Sequence, residues 1–186
     1  MFPAIFLDRD GVLIENRADY VSNWSQVVMF HDAINALSNT DLNNYKIVIV
    51  TNQSAVGRGI ISLETAQHIN DRLISEIRRQ KGKIDGVYLC PHDPDHGCDC
   101  RKPKPGLLLQ AAKELSLDLK RSWMIGDAWS DVQAGQAAGV LGSIIVKTGR
   151  GKEQLSMNQP GGFKDYQISN DLPHALATIL ANDRGK

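Results

Sequence analysis

Short, almost uninterrupted apolar runs recur along this chain, and helical patterns lie between them. Ala4-Ile5-Phe6-Leu7, Lys46-Ile47-Val48-Ile49-Val50, Ile84 to Leu89, Trp123-Met124-Ile125 and Ser143-Ile144-Ile145-Val146 read as strands. A strand with one wet face alternates polar and apolar residues; these runs do not, so both faces are expected to be covered. Residues 62–80 place Ile69, Leu73 and Ile77 on one helical face, with Ser62 as N-cap and Glu64 in the first turn. Pro105 suits a first helical position, and Leu107, Leu108 and Ala111 begin that helix's buried stripe. A further helix is predicted through about 131–138, stopping at Gly139, and a last one through about 172–181. Strand and helix alternating at this spacing dictate an α/β fold with a doubly wound, mostly parallel sheet. The 186 residues suit one domain over 1–186. Lys147–Gly162, glycine-rich and holding Pro160, is expected to be one long surface loop.

Charge and hydropathy remove other classes. Lys plus Arg and Asp plus Glu both number 21, so the net charge is zero and the field needed to hold a nucleic acid or an anionic membrane is missing. Hydrophobic residues at 42% exclude a disordered chain. No apolar run approaches the roughly 18 residues of a membrane span. The opening Met1-Phe2-Pro3-Ala4-Ile5-Phe6-Leu7-Asp8 has no basic segment and ends in acid, unlike a signal peptide, so a cytoplasmic protein is expected.

The chemistry-bearing residues fall where the buried strands end. The first strand runs into Asp8-Arg9-Asp10-Gly11, the second into Thr51-Asn52-Gln53-Ser54, the third into Cys90-Pro91-His92 and the fourth into Gly126-Asp127. Carboxyl ends of parallel strands are where open α/β sheets bind ligands. Asp8 and Asp10 repel one another, so at neutral pH they call for a cation or a shared proton. Asp127 and Asp131 add further acid, and an oxygen-rich cluster of this kind suits Mg²⁺. Taken singly, each Asp is an ordinary turn residue, and Asp131 an ordinary helix cap. Thr51 offers a hydroxyl and Lys102 a point charge, both suited to phosphoryl oxygens.

All three cysteines lie in Cys90-Pro91-His92-Asp93-Pro94-Asp95-His96-Gly97-Cys98-Asp99-Cys100. Cys-x-His followed by Cys-x-Cys is enough for a closed tetrahedral zinc site, and a closed site is structural. Cys90, Cys98 and Cys100 are the expected thiolate ligands. His92 is preferred to His96 because its spacing from Cys90 mirrors the second pair. No Gly-x-Ser-x-Gly elbow or Gly-x-x-x-x-Gly-Lys-Ser/Thr phosphate loop is present.

Asp8-Arg9-Asp10-Gly11, Thr51-Asn52, Lys102 and Gly126-Asp127-x-x-x-Asp131 resemble, in order, the four motifs of the haloacid dehalogenase superfamily of phosphatases. No long insertion follows the first or third strand, so a capless member is expected, with a zinc loop at 90–100. That loop narrows the resemblance to the branch of heptose bisphosphate phosphatases and histidinol-phosphate phosphatase domains. Thr51-Asn52-Gln53-Ser54-Ala55-Val56-Gly57-Arg58-Gly59 and Cys98-Asp99-Cys100-Arg101-Lys102-Pro103-Lys104-Pro105-Gly106 are more similar to the heptose enzymes. Two features depart from them. The stretch between His92 and Cys98 is short, as in the histidinol-phosphate branch, and Ala128 follows Asp127 where the heptose enzymes tend to carry a basic residue.

The resemblance implies a Mg²⁺-dependent phosphomonoester hydrolase with a phosphorylated sugar as substrate, foremost the C7 phosphate of D-glycero-D-manno-heptose 1,7-bisphosphate. Histidinol phosphate is the alternative, and a non-catalytic zinc-loop interaction module is the alternative from another class. It implies Asp8 as nucleophile, Asp10 as general acid and base, and Thr51 and Lys102 on the phosphoryl oxygens. Mg²⁺ is expected on Asp8, the Asp10 carbonyl and Asp127, with Asp131 acting on it indirectly. Arg101 is expected to read the substrate, and Asn16, Asp19, Tyr20, Asn52, Gln53, Ser54 and Arg58 to form its rim. A monomer is expected.

Overall fold

The structure, a computed structural model, describes residues 1–184; the last two residues of the domain expected over 1–186 lie outside the described residues. Six strands form one sheet: β1 (Ala4–Leu7), β2 (Lys46–Asn52), β3 (Gly86–Cys90), β4 (Trp123–Gly126), β5 (Gly142–Val146) and β6 (Gln167–Ser169). Their order is β3-β2-β1-β4-β5-β6 and every pairing is parallel. The helices are α1 (His31–Asn39), α2 (Ser54–Gly57), α3 (Leu63–Arg79), α4 (Gly106–Glu114), α5 (Trp129–Ala138), α6 (Gly151–Ser156) and α7 (Leu172–Arg184).

The apolar runs are continuous because each strand feeds two cores. Ile5, Leu7, Ile47 and Ile49 join the core shared with α1, α3 and α7, while Ala4, Phe6, Val48 and Val50 join the one beneath α4 and α5. The chain winds outward from β1 to β3, then returns across the sheet to β4 and winds the other way. The point of reversal lies between β1 and β4, and the crevice there opens at their carboxyl ends. No inserted domain is present among the described residues. No described helix is long and apolar enough to cross a membrane.

Ser62 caps α3 by accepting the Thr65 N–H at 3.0 Å, and Gly139 ends α5 with φ +78, both as the sequence predicts. Pro105 stands one residue before α4 rather than inside it, and α5 begins at Trp129, two residues earlier than its pattern suggests. The surface loop expected over Lys147–Gly162 is a correction: it contains α6, and its first turn runs into the crevice.

Candidate active site

At the bottom of the crevice three charged side chains are shut away from water. Lys102 Nζ lies 2.8 Å from Asp8 Oδ1 and 2.6 Å from Asp131 Oδ1, and it also donates to the Val50 carbonyl at 2.8 Å. Burial pushes the Asp8 carboxyl up to about 6; Lys102 opposes this, and the Asp131 and Asp10 charges add to it. Burial alone would lower Lys102, but the Asp131 and Asp8 carboxylates outweigh it and hold the amine above its ordinary value. Lys102 is therefore a fixed cation against the Asp8 carboxylate.

Asn52 places that lysine. Its carboxamide donates to the Lys102 carbonyl at 3.0 Å and accepts the Lys102 N–H at 3.1 Å, pinning the loop after the cysteines to the end of β2. Asn52, expected at the substrate rim, thus has its hydrogen bonds committed to backbone. Gln53, which like Asn52 lines the cavity, is also engaged with the protein. Its Nε2 donates to Asp10 Oδ2 at 3.1 Å and Thr51 Oγ1 at 2.8 Å, while its Oε1 accepts from Arg9 at 3.0 Å. Arg9 is fully buried and spans Asp10 through Nε and Nη2, at 3.0 and 3.1 Å, with Nη1 on Asn70 Oδ1 at 2.8 Å. The Asp10 carboxylate is held at the cavity wall by this network, which the sequence reading missed; an arginine between two aspartates reads as a solvated turn residue.

Asp127, fully buried, faces Asp8 from the end of β4. Burial and the Asp8 charge raise its carboxyl, opposed by Arg150. The backbone around it is folded to close range. A Cβ on Gly11, which has φ +86, would lie 2.0 Å from Asp127 Oδ2, and one on Gly149, with φ +54, would lie 2.4 Å from it. Asn16 Nδ2 and the Arg150 N–H, the latter at 2.8 Å, both donate to Asp127 Oδ2. Ligand atoms of Asp8, Asp127 and Asp131 lie within 4.8 Å of one another, a grouping that could hold a metal. Asp131 has both oxygens engaged, one with Lys102 and the other accepting the Ala128 N–H at 3.0 Å, which fits an indirect role.

The cavity above this floor has a volume of about 680 Å³. Asp8, Asp10, Asn16, Tyr20, Asn52, Gln53, Ser54, Arg101 and Lys102 line it, together with Arg17 and with Arg150, the latter not singled out by the sequence reading. Two expected rim residues are not brought in. Asp19 is exposed and pairs with Arg17 at 2.9 Å, and Arg58 is exposed at the end of α2; neither lines the cavity. Thr51 is fully buried beside Gln53.

The cysteine loop closes on itself. Sulfur–sulfur distances among Cys90, Cys98 and Cys100 are 3.6, 3.1 and 3.5 Å, and His92 Nδ1 lies 3.6 Å from Cys90 Sγ and 3.3 Å from Cys100 Sγ. A tetrahedron with metal–sulfur bonds of about 2.3 Å has edges of about 3.8 Å, so the four ligands stand near the corners a zinc ion requires. His92 is the imidazole of the cluster, and His96 stacks on it with centroids 4.1 Å apart. Burial and the hydrogen bond with Cys100 push the Cys90 thiol up. Arg101 leaves the loop with Nη1 on the His92 carbonyl at 3.1 Å, so cluster and cavity share a wall.

The chain is similar to known proteins over most of its length. Residues 99–175 match the HAD-hydrolase-like family model. The D-glycero-beta-D-manno-heptose-1,7-bisphosphate 7-phosphatase of Pseudomonas aeruginosa is 34% identical over 176 residues, covering 95% of this chain and 97% of that one. The enzyme of the same name from Pasteurella multocida is 39% identical over 167 residues, covering 84% and 90%. The crystal structure of D,D-heptose 1,7-bisphosphate phosphatase from B. bronchiseptica, complexed with magnesium and phosphate, superposes with a TM-score of 0.87 at 30% identity, covering 97% of this chain and 99% of that one. Similarity of this extent, over nearly the whole of both sequences, decides the relationship: the chain belongs to the haloacid dehalogenase superfamily, in the family of the D-glycero-beta-D-manno-heptose-1,7-bisphosphate 7-phosphatases.

Proposed function

We propose that this chain hydrolyses the C7 phosphate of D-glycero-D-manno-heptose 1,7-bisphosphate, and that it does so through an aspartyl-phosphate on Asp8. The observation that carries the reading is the buried Asp8 carboxylate, 2.8 Å from the Lys102 amine at the floor of a cavity with further acid beside it. The names of the curated relatives favour the β anomer.

Asp8 forms the new bond to phosphorus as the sugar oxygen departs with a proton from Asp10. Water then attacks the phosphoryl group, Asp10 takes that water's proton, and inorganic phosphate leaves with the Asp8 carboxylate restored. Lys102 and the Thr51 hydroxyl stabilise the equatorial oxygens, where transition-state charge is spread. Arg9 and Gln53 keep Asp10 at the wall through both half-reactions.

Asp8, Asp127 and the Asp10 carbonyl would hold Mg²⁺, and the buried, mutually repelling carboxylates fit such a cation. Bound there, Mg²⁺ offsets the repulsion between anionic nucleophile and anionic phosphate. Cys90, His92, Cys98 and Cys100 would hold Zn²⁺ with every position filled, a structural site that fixes the backbone running into Arg101 and Lys102. The reading is completed by a cytoplasmic, monomeric protein of one domain.

The test is phosphate release, with Mg²⁺, from both anomers of the heptose bisphosphate and from histidinol phosphate. Preferential cleavage of the β-heptose bisphosphate is expected. A preference for histidinol phosphate would refute the substrate, and no release from any phosphomonoester would refute the hydrolase.

A further inference from the structure

Arg150 belongs to none of the motifs that mark the strand ends, yet it lies against the acidic floor. Its main chain is tightly placed. The N–H donates to Asp127 Oδ2 at 2.8 Å, and the preceding turn is anchored by Thr148 Oγ1, which donates to the Gly11 carbonyl at 2.6 Å. Behind it Trp129 ties α6 to α5, its backbone and indole N–H groups donating to Gln154 at 3.1 and 2.9 Å. The segment is built to present residue 150 to the crevice.

Its guanidinium is loosely held by comparison. Nη2 reaches Asp127 Oδ1 only at 3.4 Å, at the outer limit of a hydrogen bond, and the side chain is 52% exposed where it lines the cavity. Asp127 already accepts from the Arg150 N–H and from Asn16. The other cations around the cavity have firmer partners: Lys102 has two carboxylates, Arg9 has Asp10, Asn70 and Gln53, Arg101 has the His92 carbonyl, and Arg17 has Asp19. Arg150 therefore holds an almost uncommitted planar set of donors on the wall of the cavity that Asp8 also lines.

We propose that Arg150 is a phosphate-binding residue of this site, its guanidinium resting on Asp127 and turning onto the phosphoryl oxygens when phosphate binds. The geometry favours the exchange. The backbone anchor stays on Asp127 while the side chain moves, and a guanidinium meets two phosphate oxygens at once, which a buried carboxylate already receiving two donors cannot match. A divalent cation on Asp8 and Asp127 would share the carboxylate charge and loosen the resting contact further. The inference rests on the site being a phosphomonoesterase, and not on which sugar it takes.

The test is binding of inorganic phosphate to the Mg²⁺-loaded protein by calorimetry, set beside binding of Mg²⁺ alone. Arg150→Ala and Arg150→Gln should each weaken phosphate roughly 10–100-fold, the range for losing a hydrogen bond to a charged group. Mg²⁺ affinity should not fall, and Arg150→Lys should restore part of the loss. Arg150→Gln keeps reach and polarity, so it separates loss of charge from disturbance of the turn. Unchanged phosphate affinity in the Ala and Gln variants would overturn the proposal. So would a loss of phosphate binding matched by an equal loss of Mg²⁺ binding, because Arg150 would then be support for Asp127 only. A wild-type protein that binds phosphate but spares the heptose bisphosphate would refute the substrate and leave this comparison intact.

Discussion

Replacing Lys102 with methionine keeps most of the unbranched side chain and removes its charge, which strands two carboxylates. The amine sits 2.8 Å from Asp8 and 2.6 Å from Asp131, and all three side chains are 7% exposed or less. Removing one partner of a buried pair costs about 3–5 kcal/mol. Proton uptake sets an independent ceiling. At pH 7.5, protonating a carboxyl of ordinary pKa 3.8 costs about 5 kcal/mol, since each pH unit is worth about 1.4 kcal/mol. Asp8 already stands at about 6 in the folded protein, so roughly 3 of those ~5 kcal/mol are present in the wild type. Asp8 can therefore add about 2 kcal/mol more in the variant, and the rest comes from Asp131. For a chain of this size a loss of about 3–5 kcal/mol lowers Tm by on the order of 10 °C. The sign with pH follows from the raised pKa. A raised carboxyl penalises the folded state above its folded pKa, and the penalty is relieved as pH falls through that value toward 3.8. The variant's deficit should therefore be largest at pH 7.5 and shrink by pH 5, where Asp8 is protonated in both proteins. Thermal unfolding in Mg²⁺-free buffer without chelator, which leaves tightly bound zinc in place, reads this directly. Adding Asp8→Asn to the variant should recover part of the loss. A deficit equal at both pH values, or no deficit, would mean that Lys102 does not hold the Asp8 and Asp131 charges in the folded protein.

Cys98→Ser should lower the metal content of protein purified without added zinc, reduce Tm, and weaken activity indirectly through Arg101 and Lys102; active wild-type enzyme without stoichiometric metal would remove the zinc site. Gly149→Ala places a Cβ 2.4 Å from both Asp127 Oδ2 and the Gly11 Cα at φ +54, so Mg²⁺ affinity should fall about tenfold or more, as when a ligand's support is lost. Gly161→Ala, with open space around it, is the silent control, and calorimetry of both variants is the check. Arg101→Ala should lower kcat/KM for the bisphosphate by roughly 10–100-fold and much less for p-nitrophenyl phosphate; equal losses would place Arg101 in the chemistry.

Much of this architecture is legible in the sequence because burial on two faces writes itself as uninterrupted Val and Ile. The five apolar runs mark β1 to β5, and Asp8, Thr51 and Asp127 stand at their ends. What stays hidden has physical reasons. β6 is only Gln167–Ser169 at the edge of the sheet, with Ile168 half exposed, so it carries too little apolar pattern to register. Arg9 looks like a surface arginine until α3 brings Asn70 over it, a pairing sixty-one residues apart that no local pattern encodes. Gly149 and Arg150 sit in a stretch whose composition says loop; only the packing of Thr148 on Gly11 turns that loop into a wall of the site. Asp19 and Arg58 are the opposite case, residue types suited to a rim that stand on exposed turns and do not line the cavity.

The stereochemical course at phosphorus distinguishes attack by Asp8 from direct attack by water. Attack by Asp8 followed by attack by water is two in-line displacements, each inverting the phosphoryl group, so a chirally labelled substrate must give phosphate with net retention. The same preparation with Asp8→Asn should lose activity by several orders of magnitude, since the amide is a poor nucleophile. Retention, abolished together with turnover in Asp8→Asn, is the result this account predicts. Net inversion would mean a single displacement by water, and the buried Asp8 carboxylate beside Lys102 would then not be the nucleophile.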